Sequence, residues 1–485
     1  MSKYASTILL IILIISGLAS VFTIHFGSAQ TSTPVNGIIT QDTTWTKTNS
    51  PYSLTGNILV NDSASLTIEA GTTINLNHYY IRVNGSLIIQ PDATLNMELI
   101  SDGIQVNGVL SAKGTNAKPI RINGSIQPHG FSGPGYSAIS FSSSSIGWSQ
   151  QTNEGSIIEN AILTSTRLEL SSGVKISNSV LNGGLIISGG SCAISNSDIS
   201  SQTLAVWVIG GTPVIVNNKI LGGVQIESGY SIIRDNIIAG LTFSGIYESM
   251  SVPACSLYDR GSPLETIFER NLITNSSVGI TCGLQNLVNH VTIENNTIFN
   301  NTVGIQIQTA NVPAIINNNI YGNTMNVKLS SKAISEVNLT YNWWGTIDEQ
   351  KINQTIYDFK NDFNLGRVNF VPFLLFSNSE AKPDPNAPMP TPEVPEFPVS
   401  VILIVILISV LTETLLKMKH YKIGSGRHIK LTKKTENIEL KAFKSTGDLS
   451  KNGKNKSFRT WLSFPALISI QRFLFSGRRS HPSSP

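Results

Sequence analysis

Short runs of alternating apolar and polar residues fill the chain from about residue 36 to residue 376 and recur along it. The runs share a pattern of an apolar residue, any residue, asparagine, any residue and another apolar residue, often followed by Gly and a further apolar pair. Such alternation is typical of short β-strands that end in turns. Eight copies of the pattern read, in chain order, SIIENAIL, VKISNSVL, CAISNSDI, VIVNNKIL, IIRDNIIA, IFERNLIT, VTIENNTI and AIINNNIY.

The asparagines of these copies are spaced 18 to 35 residues apart. Repeats of about 20 residues indicate a solenoid, in which every repeat stacks on the previous one. Ile and Val dominate the apolar positions, which favours parallel strands over a leucine-rich repeat. The Gly-Gly-x-Gly-x-Asp of calcium-binding repeats is missing from the sequence. The aligned asparagines are Asn160, Asn178, Asn196, Asn218, Asn236, Asn271, Asn296 and Asn318, with a ninth copy at Asn342.

Because parallel crossover connections are right-handed almost without exception, the repeat predicts an all-β fold, a right-handed parallel β-helix over residues 36–376. Side-chain amides stacked at the rung spacing of about 4.8 Å can hydrogen-bond to one another and to the turn backbone. We therefore predict that the aligned asparagines are structural rather than ligand-binding.

A second register of the same repeat occupies the N-terminal part of this range. Residues 66–68 (Leu-Thr-Ile), followed six residues later by Ile74, match residues 87–89 (Leu-Ile-Ile), followed six residues later by Leu95. We expect these rungs to continue the same coil, which makes residues 36–376 one domain. Four asparagines are predicted to occupy corresponding turns: Asn61, Asn84, Asn107 and Asn123.

The two ends of the chain predict export and membrane anchoring. Residues 1–30 combine Lys3, an apolar core and small residues, as a secretory signal does, with an uncleaved anchor as the alternative. A proline-rich linker, 377–398, precedes an apolar segment, 399–416, that is long enough to cross a bilayer as a helix. The basic tail that follows, 417–485, predicts a cytoplasmic C-terminus and an extracellular β-helix at the cell membrane.

Charge separates the same two parts of the chain. Residues 1–416 hold 18 Lys and Arg against 27 Asp and Glu, whereas residues 417–485 hold 16 against 3. An acidic exported part argues against nucleic acid as a partner. The three cysteines, Cys192, Cys255 and Cys282, match no metal motif. Either all three are small buried side chains, or Cys255 and Cys282 form a disulfide that closes an inserted loop.

The asparagine turns, the LTIEAGTTI element at 66–74 and the closing YNWWGT at 341–346 resemble right-handed β-helix repeat proteins of microbial surfaces. Relatives of that family include periplasmic β-helix proteins linked to copper delivery. The resemblance implies the fold but no single activity, because the same coil carries lyases, hydrolases, epimerases and adhesins. Soft-metal sites need convergent sulfur or imidazole ligands, and the histidines of this part do not cluster, so no metal or cofactor is predicted.

Residues 395–398, Pro-Glu-Phe-Pro, with the apolar segment and basic residues after them, resemble the C-terminal sorting tails of archaeal surface proteins. In that pattern the basic cluster normally ends the protein, whereas nearly 70 residues follow it here. This departure favours a plain membrane anchor over sortase-type processing.

One region of the repeat concentrates charge. Just before the asparagine positions, successive rungs carry Arg234-Asp235, Glu269-Arg270 and Glu294. If the chain is an enzyme, its candidate catalytic residues are Asp235, Glu269, Arg270 and Glu294, since hydrolysis of glycosides needs paired carboxylates and a lyase needs a base. The alternative is a solvated ladder of ion pairs, Asp235 with Arg270 and Arg270 with Glu294.

The 35-residue spacing at this point indicates an insertion over about residues 248–266. A loop inserted over a charged column is where a β-helix would hold a glycan, and its tyrosines could stack on sugar rings. The candidate ligand-binding residues are Arg234, Tyr247, Glu248, Tyr258, Asp259, Arg260 and His290.

Eight Asn-x-Ser/Thr sequons lie in the part of the chain that is predicted to be exported. Such triplets are acceptors for N-glycosylation, and we expect some of them to be modified. They begin at Asn61, Asn84, Asn123, Asn275, Asn295, Asn300, Asn338 and Asn353.

These features predict a membrane-anchored cell-surface glycoprotein without catalytic activity, serving adhesion, envelope structure or glycan binding. Its partners are then the membrane, through a single C-terminal span, and a polysaccharide or surface glycoprotein. The alternative is a membrane-tethered polysaccharide lyase, glycoside hydrolase or epimerase that uses the face around residues 234–294. Acids that converge in a groove favour the enzyme, and ion-paired charges on a flat face favour the scaffold.

Overall fold

Three columns of parallel strands run through the protein, and each turn of the chain contributes one short strand to each column. One such rung consists of Lys175–Ser177, Val180–Asn182 and Leu185–Ile187. The fold is therefore all-β, with stacked parallel strands, as in a parallel β-helix. The computed structural model describes residues 32–99, 102–129, 133–242, 251–258, 264–283, 290–309, 311–330, 333 and 335–386.

The predicted signal (1–30), membrane segment (399–416) and basic tail (417–485) lie outside the described residues. Within the described ranges, no helix has the length and apolar character needed to cross a membrane.

The first column forms a sheet of its own. In chain order its described strands are Thr43–Trp45, Ser65–Ile68, Ser86–Ile89, Val109–Lys113, Ile157–Glu159, Lys175–Ser177, Ala193–Ser195, Val214–Val216, Gly229–Arg234, Leu264–Glu269, His290–Glu294 and Ala314–Ile316.

The second and third columns belong to one larger sheet, because Tyr52–Val60 pairs with strands of both. The second column then contains Thr73–Asn75, Thr94–Asn96, Ile120–Asn123, Ala161–Thr164, Val180–Asn182, Asp198–Ser200, Lys219–Leu221, Ile237–Ala239, Leu272–Thr274, Thr297–Phe299 and Asn319–Tyr321. The third contains Thr33–Ile39, Tyr52–Val60, Tyr80–Val83, Gly103–Val106, Gly133–Phe141, Thr166–Leu170, Leu185–Ile187, Val206–Val208, Val224–Ile226, Cys255–Leu257, Val278–Cys282, Val303–Ile307, Met325–Leu329 and Ile356–Tyr357.

The remaining described elements are excursions from the rungs or closures at the ends. Antiparallel hairpins are made by Ile126–His129 with Gly133–Phe141 and by Leu241–Thr242 with Ser251–Val252, and Val337–Asn338 pairs in parallel with Val368–Asn369. The helical elements within the described ranges are a 3-10 helix, Lys47–Asn49, and an α-helix, Glu349–Gln354, whose first turn is capped by the Asp348 carboxylate.

The hydrophobic core fills the inside of the coil without a break between rungs. Successive strand residues point to opposite faces, so Phe268 is fully buried while its neighbour Glu269 faces outward. Inward residues also stack on one another between rungs, as Ile74, Leu95 and Ile122 do. The Ile- and Val-rich alternation in the sequence thus becomes a column of apolar contacts that passes from rung to rung.

The turn from the first column to the second is built on a left-handed residue. Each first-column strand from Ile157–Glu159 onward is followed by a residue with φ between 49° and 60°. We call these positions the left-handed column and add Tyr341, which continues it by accepting the N–H of Asn317 on its carbonyl. Its members are Asn160, Asn178, Asn196, Asn217, Asp235, Arg270, Asn295, Asn317 and Tyr341. Asparagine tolerates this conformation better than most L residues, which accounts for its frequency there.

The residue after each left-handed position belongs to a second, buried column. We call this the inner column: Ala161, Ser179, Ser197, Asn218, Asn236, Asn271, Asn296, Asn318 and Asn342. Its last six members are asparagines that form one continuous amide ladder. The predicted stacking of amides is therefore confirmed for six of the nine aligned residues.

The predicted alignment is wrong by one position for Asn160, Asn178 and Asn196, which lie in the left-handed column rather than in the ladder. Asparagine suits the left-handed column because it tolerates positive φ, and it suits the inner column because its amide can be fully hydrogen-bonded. In the pair Asn217-Asn218 the sequence therefore does not indicate which asparagine belongs to which column. After Asn160, Asn178 and Asn196 the inner position is held by Ala161, Ser179 and Ser197. Ser179 and Ser197 still accept hydrogen bonds through Oγ, from the N–H groups of Ala161 and Ser179.

In the ladder, both the nitrogen and the oxygen of a side-chain amide are hydrogen-bonded, as Asn296 shows. Its Nδ2 donates to Asn318 Oδ1 (3.1 Å) and to two carbonyls, those of Phe268 (2.8 Å) and Glu294 (2.9 Å). Its Oδ1 accepts from both the N–H (2.9 Å) and the Nδ2 (3.0 Å) of Asn271. Because the side chain is fully buried, these contacts replace all of its hydration.

At the N-terminal end, the structure confirms the match of residues 66–68 with 87–89 and of Ile74 with Leu95. Asn84 and Asn107 also stack, with a 3.0 Å hydrogen bond.

The fourth predicted member, Asn123, is misplaced by the sequence. It closes a second-column strand and donates to Asn96, which in turn donates to Asn75. Asn123, like Asn84 and Asn107, is followed by Gly. The Asn-Gly dipeptide indicates a turn but does not indicate which of the turns in a rung it forms, and this caused the error.

The predicted insertion lies earlier than residues 248–266. The described strands depart from the rung pattern at Leu241–Thr242, which pairs antiparallel with Ser251–Val252. Cys255–Leu257 and Leu264–Glu269, within the predicted range, are ordinary strands of the third and first columns.

All three cysteines are free and buried, so the reading of them as small interior side chains is confirmed. Cys255 pairs with Ile280, and Cys282 pairs with Leu257, so the two thiols lie two residues apart in register. Burial raises the pKa of the Cys192 and Cys282 thiols to about 12 and holds that of Cys255 well above its ordinary value.

We expect none of the three thiols to react with a water-soluble disulfide reagent in the native protein at mildly alkaline pH. Thiolates are the reacting species, and burial suppresses both their formation and their access. The number of reacted thiols per chain, counted from the thiolate that the reagent releases, should be zero in the native protein and three after addition of guanidinium. A thiol that reacts fully within minutes in the native state would contradict this burial.

Candidate functional site

Two neighbouring positions of the left-handed column carry opposite charges. Asp235 and Arg270 hold positions that are occupied by asparagine on most other rungs. The Arg270 guanidinium binds the carboxylate of Asp235 in a bidentate manner, with Nε 2.8 Å from Oδ1 and Nη2 2.9 Å from Oδ2. Paired, planar contacts of this kind are among the stronger ion pairs in proteins.

Two more charged side chains complete the cluster. Arg234 Nε lies 3.2 Å from Asp235 Oδ2, and Arg270 Nη1 donates to Glu269 Oε1 at 2.6 Å. The hydrogen bonds to Asp235 raise the pKa of Arg270 above its ordinary value, against the opposing effect of burial. The Asp235 side chain is 0% exposed, so its charge is balanced by these arginines rather than by water.

The ion-pair alternative is thus correct for Asp235 with Arg270 and wrong for Arg270 with Glu294. In the described part of the chain, the ion pairs of Arg270 are those with Asp235 and Glu269. Its side chain turns toward the preceding rung, where the Asp235 carboxylate takes both Nε and Nη2. Glu294 instead stands next to Glu269 in the outer face of the first column.

A segment from the far end of the chain lies over this cluster. We call residues 377–386 the strap; they correspond to the first ten residues of the predicted linker. Asn378 donates from Nδ2 to Asn295 Oδ1 (3.0 Å) and to the carbonyl of Asn317 (2.7 Å), and it exchanges two hydrogen bonds with the side chain of Asn319.

Further along the strap, Ala381 is fully buried and accepts a hydrogen bond from the hydroxyl of Thr297. The N–H of Asp384 donates to Asp235 Oδ1 at 3.0 Å. The strap therefore runs back along the left-handed column from the C-terminal rungs to the charged cluster. Instead of leaving the solenoid as a free spacer, the start of the proline-rich segment is bound to its side.

Two spaces remain beside the strap. One, of about 770 Å³, lies between the strap and the cluster and is lined by Arg234, Arg270, Ser379, Glu380, Lys382, Pro383, Asp384 and Pro385. The other, of about 340 Å³, also borders the two prolines and is lined by Asn196, Ser197, Asp198, Asn217, Asn218, Lys219, Asp235, Ile237, Pro383 and Pro385. Both linings mix charges of the two signs.

The other predicted ligand residues do not join the cluster. His290 begins its strand and lies in register with Glu265, near the start of the strand Leu264–Glu269. Arg270 lies just beyond the other end of that strand. Five residues of strand separate those two ends, about 16 Å at the usual rise. Tyr258 follows the third-column strand and packs its ring over Gly283. Tyr247, Glu248, Asp259 and Arg260 lie outside the described residues.

The described residues contain no group of three or more His, Cys, Asp or Glu side chains arranged to hold a metal ion. The sequons differ in access. Three are half-buried, namely Asn61, Asn84 and Asn295, and five are exposed, namely Asn123, Asn275, Asn300, Asn338 and Asn353.

Sequence reasoning identified the charged cluster but missed the strap that covers it. The high proline content of the strap suggested an extended spacer. A signal was present in Asn378 and Asp384, whose side chains accept the N–H two residues on, from Glu380 and Asn386. Turns of that kind fold a chain locally rather than extend it.

Comparisons with family models, with curated proteins and with solved structures give no match to this chain.

Proposed function

We propose that the chain is a non-catalytic cell-surface protein, a right-handed parallel β-helix held to the membrane by a C-terminal span and serving adhesion or envelope structure. The handedness follows from the general preference of parallel crossovers. The signal at 1–30, the apolar segment at 399–416 and the basic tail at 417–485 support export, anchoring and a cytoplasmic C-terminus. Polysaccharide or a surface glycoprotein is the expected partner.

One observation carries the non-catalytic part of the proposal, namely the state of Asp235. A general acid or base must come within hydrogen-bond reach of the substrate, about 2.6–3.2 Å. The Asp235 carboxylate is fully buried, bound by Arg270 and Arg234, and closed by the N–H of Asp384. A carboxylate held in this way stabilises the junction of strap and solenoid and is not free to exchange a proton with a ligand.

One feature favours the enzyme alternative. The charged side chains converge beside a space of about 770 Å³, which lies in the size range of ligand sites. Arg234, Arg270 and Lys382 in its lining could bind an acidic sugar. A polysaccharide lyase, glycoside hydrolase or epimerase would then require the strap to move, so that Asp235 or Glu269 could reach the substrate.

The deciding measurement is a glycan array on the full-length protein in lipid nanodiscs, with release of reducing or unsaturated ends followed in parallel. We expect no turnover, and we expect any binding to be unchanged in Glu269→Gln. The matched control is Glu265→Gln, an exposed position on the same strand. Turnover that is lost in Glu269→Gln but kept in Glu265→Gln would overturn the proposal and identify the cluster as an active site.

A further inference from the structure

Large apolar side chains are unusually exposed where the solenoid ends. Near the last rungs, Tyr341 is 55% exposed, Val371 45%, Leu375 63% and Phe376 81%. We call these four residues the end face. Elsewhere in the described ranges, exposed apolar residues lie on strands, such as Ile38 at the opposite end, or in turns and loops, such as Ile146, Ile347 and Phe363.

Backbone hydrogen bonds join the end face into one surface. The N–H of Tyr341 donates to the carbonyl of Pro372 (2.7 Å), and the N–H of Leu374 donates to the carbonyl of Asn342 (3.0 Å). Residues 371–376 thus lie along Tyr341 and Asn342, which hold the last positions of the left-handed and inner columns.

Inward residues of the same segment fix its orientation. Phe370 packs edge-on against Trp344, with ring centroids 6.2 Å apart, and Phe373 packs on Phe370 at 6.3 Å. Val371, Leu375 and Phe376 therefore point away from the core because their neighbours occupy it. The outward apolar set is held on a rigid base.

A solenoid in water normally ends in a cap whose outer face is polar. An apolar cap on an otherwise polar surface marks a site of contact with a partner. Phe, Leu and Tyr are also the residues that partition into the boundary between lipid headgroups and acyl chains.

We propose that the end face docks on the outer surface of the bilayer that residues 399–416 are proposed to cross; the inference rests on that anchor. The length of chain supports this occupant. Residues 387–398, between strap and anchor, can extend over about 37 Å in a proline-rich conformation. Asp235 and Tyr341 lie four rungs apart in the left-handed column, about 19 Å. The linker is long enough to let the end face reach the membrane.

Docking is tested with the full-length chain in nanodiscs that hold one copy each, made of phosphatidylcholine and phosphatidylglycerol. Phe376→Cys carries an environment-sensitive fluorophore, and Ile38→Cys carries it in a matched control. The native thiols are buried and do not compete for the label. We expect blue-shifted emission and a severalfold weaker quenching by iodide at position 376 than at position 38.

A second variant separates docking from local burial. With the label on Val371→Cys, adding Leu375→Ser and Phe376→Ser should restore iodide quenching, whereas adding Ile38→Ser should not. Equal quenching at positions 376 and 38 in an anchored protein overturns the inference alone. Protection that needs two copies per disc assigns the end face to a second chain and overturns it too. A chain that alkaline carbonate extracts from the membrane overturns the anchor as well.

Discussion

Asn296→Ala is expected to lower the free energy of unfolding by about 3–5 kcal/mol, because it removes a fully buried amide from the middle of the ladder. The N–H and Nδ2 of Asn271 lose their acceptor, and the carbonyls of Phe268 and Glu294 lose their donor. Each buried group left unsatisfied costs about 1–3 kcal/mol. The measurement is the urea midpoint and slope of unfolding.

The chain supplies its own controls for this experiment. Asn296→Ser should cost less, because Ser179 and Ser197 already fill inner-column positions and accept the same backbone hydrogen bond. Asn107→Ala removes a stacked amide that is only half-buried and should cost less than about 1 kcal/mol. Equal losses for Asn296→Ala and Asn107→Ala would show that burial of the ladder contributes nothing.

Asp235→Asn is expected to lower the free energy of unfolding by about 2–4 kcal/mol, because it leaves Arg270 and Arg234 in a largely buried site without a carboxylate. The partial exposure of the two arginines, 18% and 23%, keeps this below the cost for a fully buried pair. Asparagine occupies most left-handed positions, so the substitution brings no backbone strain.

A double-mutant cycle tests whether the loss comes from the pair. The variant Asp235→Asn, Arg270→Asn restores the asparagine found on neighbouring rungs, and we expect it to recover about 1–3 kcal/mol of the loss. The strap should also loosen in Asp235→Asn, with faster cleavage after Glu380 by a glutamate-specific protease. The control is Asp92→Asn, which removes the carboxylate of an exposed ion pair with Arg121 and does not touch the strap.

Much of the fold could be predicted because every repeat carries the same pattern of apolar and turn residues and therefore predicts the same local structure. Inward Ile and Val in alternation, and a turn residue at a similar offset in each copy, predict short parallel strands stacked rung on rung. Register was predictable where two copies share a full pattern, as residues 66–68 and 87–89 do. It failed where one residue type serves two positions, since asparagine occupies both the left-handed and the inner column.

The candidate site was only half predictable for a different reason. Asp235 and Arg270 are neighbours in a column, so repeat alignment alone brought them together. Asn378 and Asp384 lie far from their partners in sequence, and no repeat relates them to the left-handed column. Contacts between the repeating solenoid and the strap, which is not part of the repeat, produce no recognisable pattern in a single sequence.

The strap also determines how mechanical load enters the molecule. Tension transmitted through residue 386 acts first on the N–H of Asp384 and reaches Asn378 only after that contact has broken. The hydrogen bonds of the strap must therefore break before the last strand is loaded, whereas a pull applied directly to the last strand would open the coil one rung at a time. The strap thus protects the C-terminal rungs from unzipping.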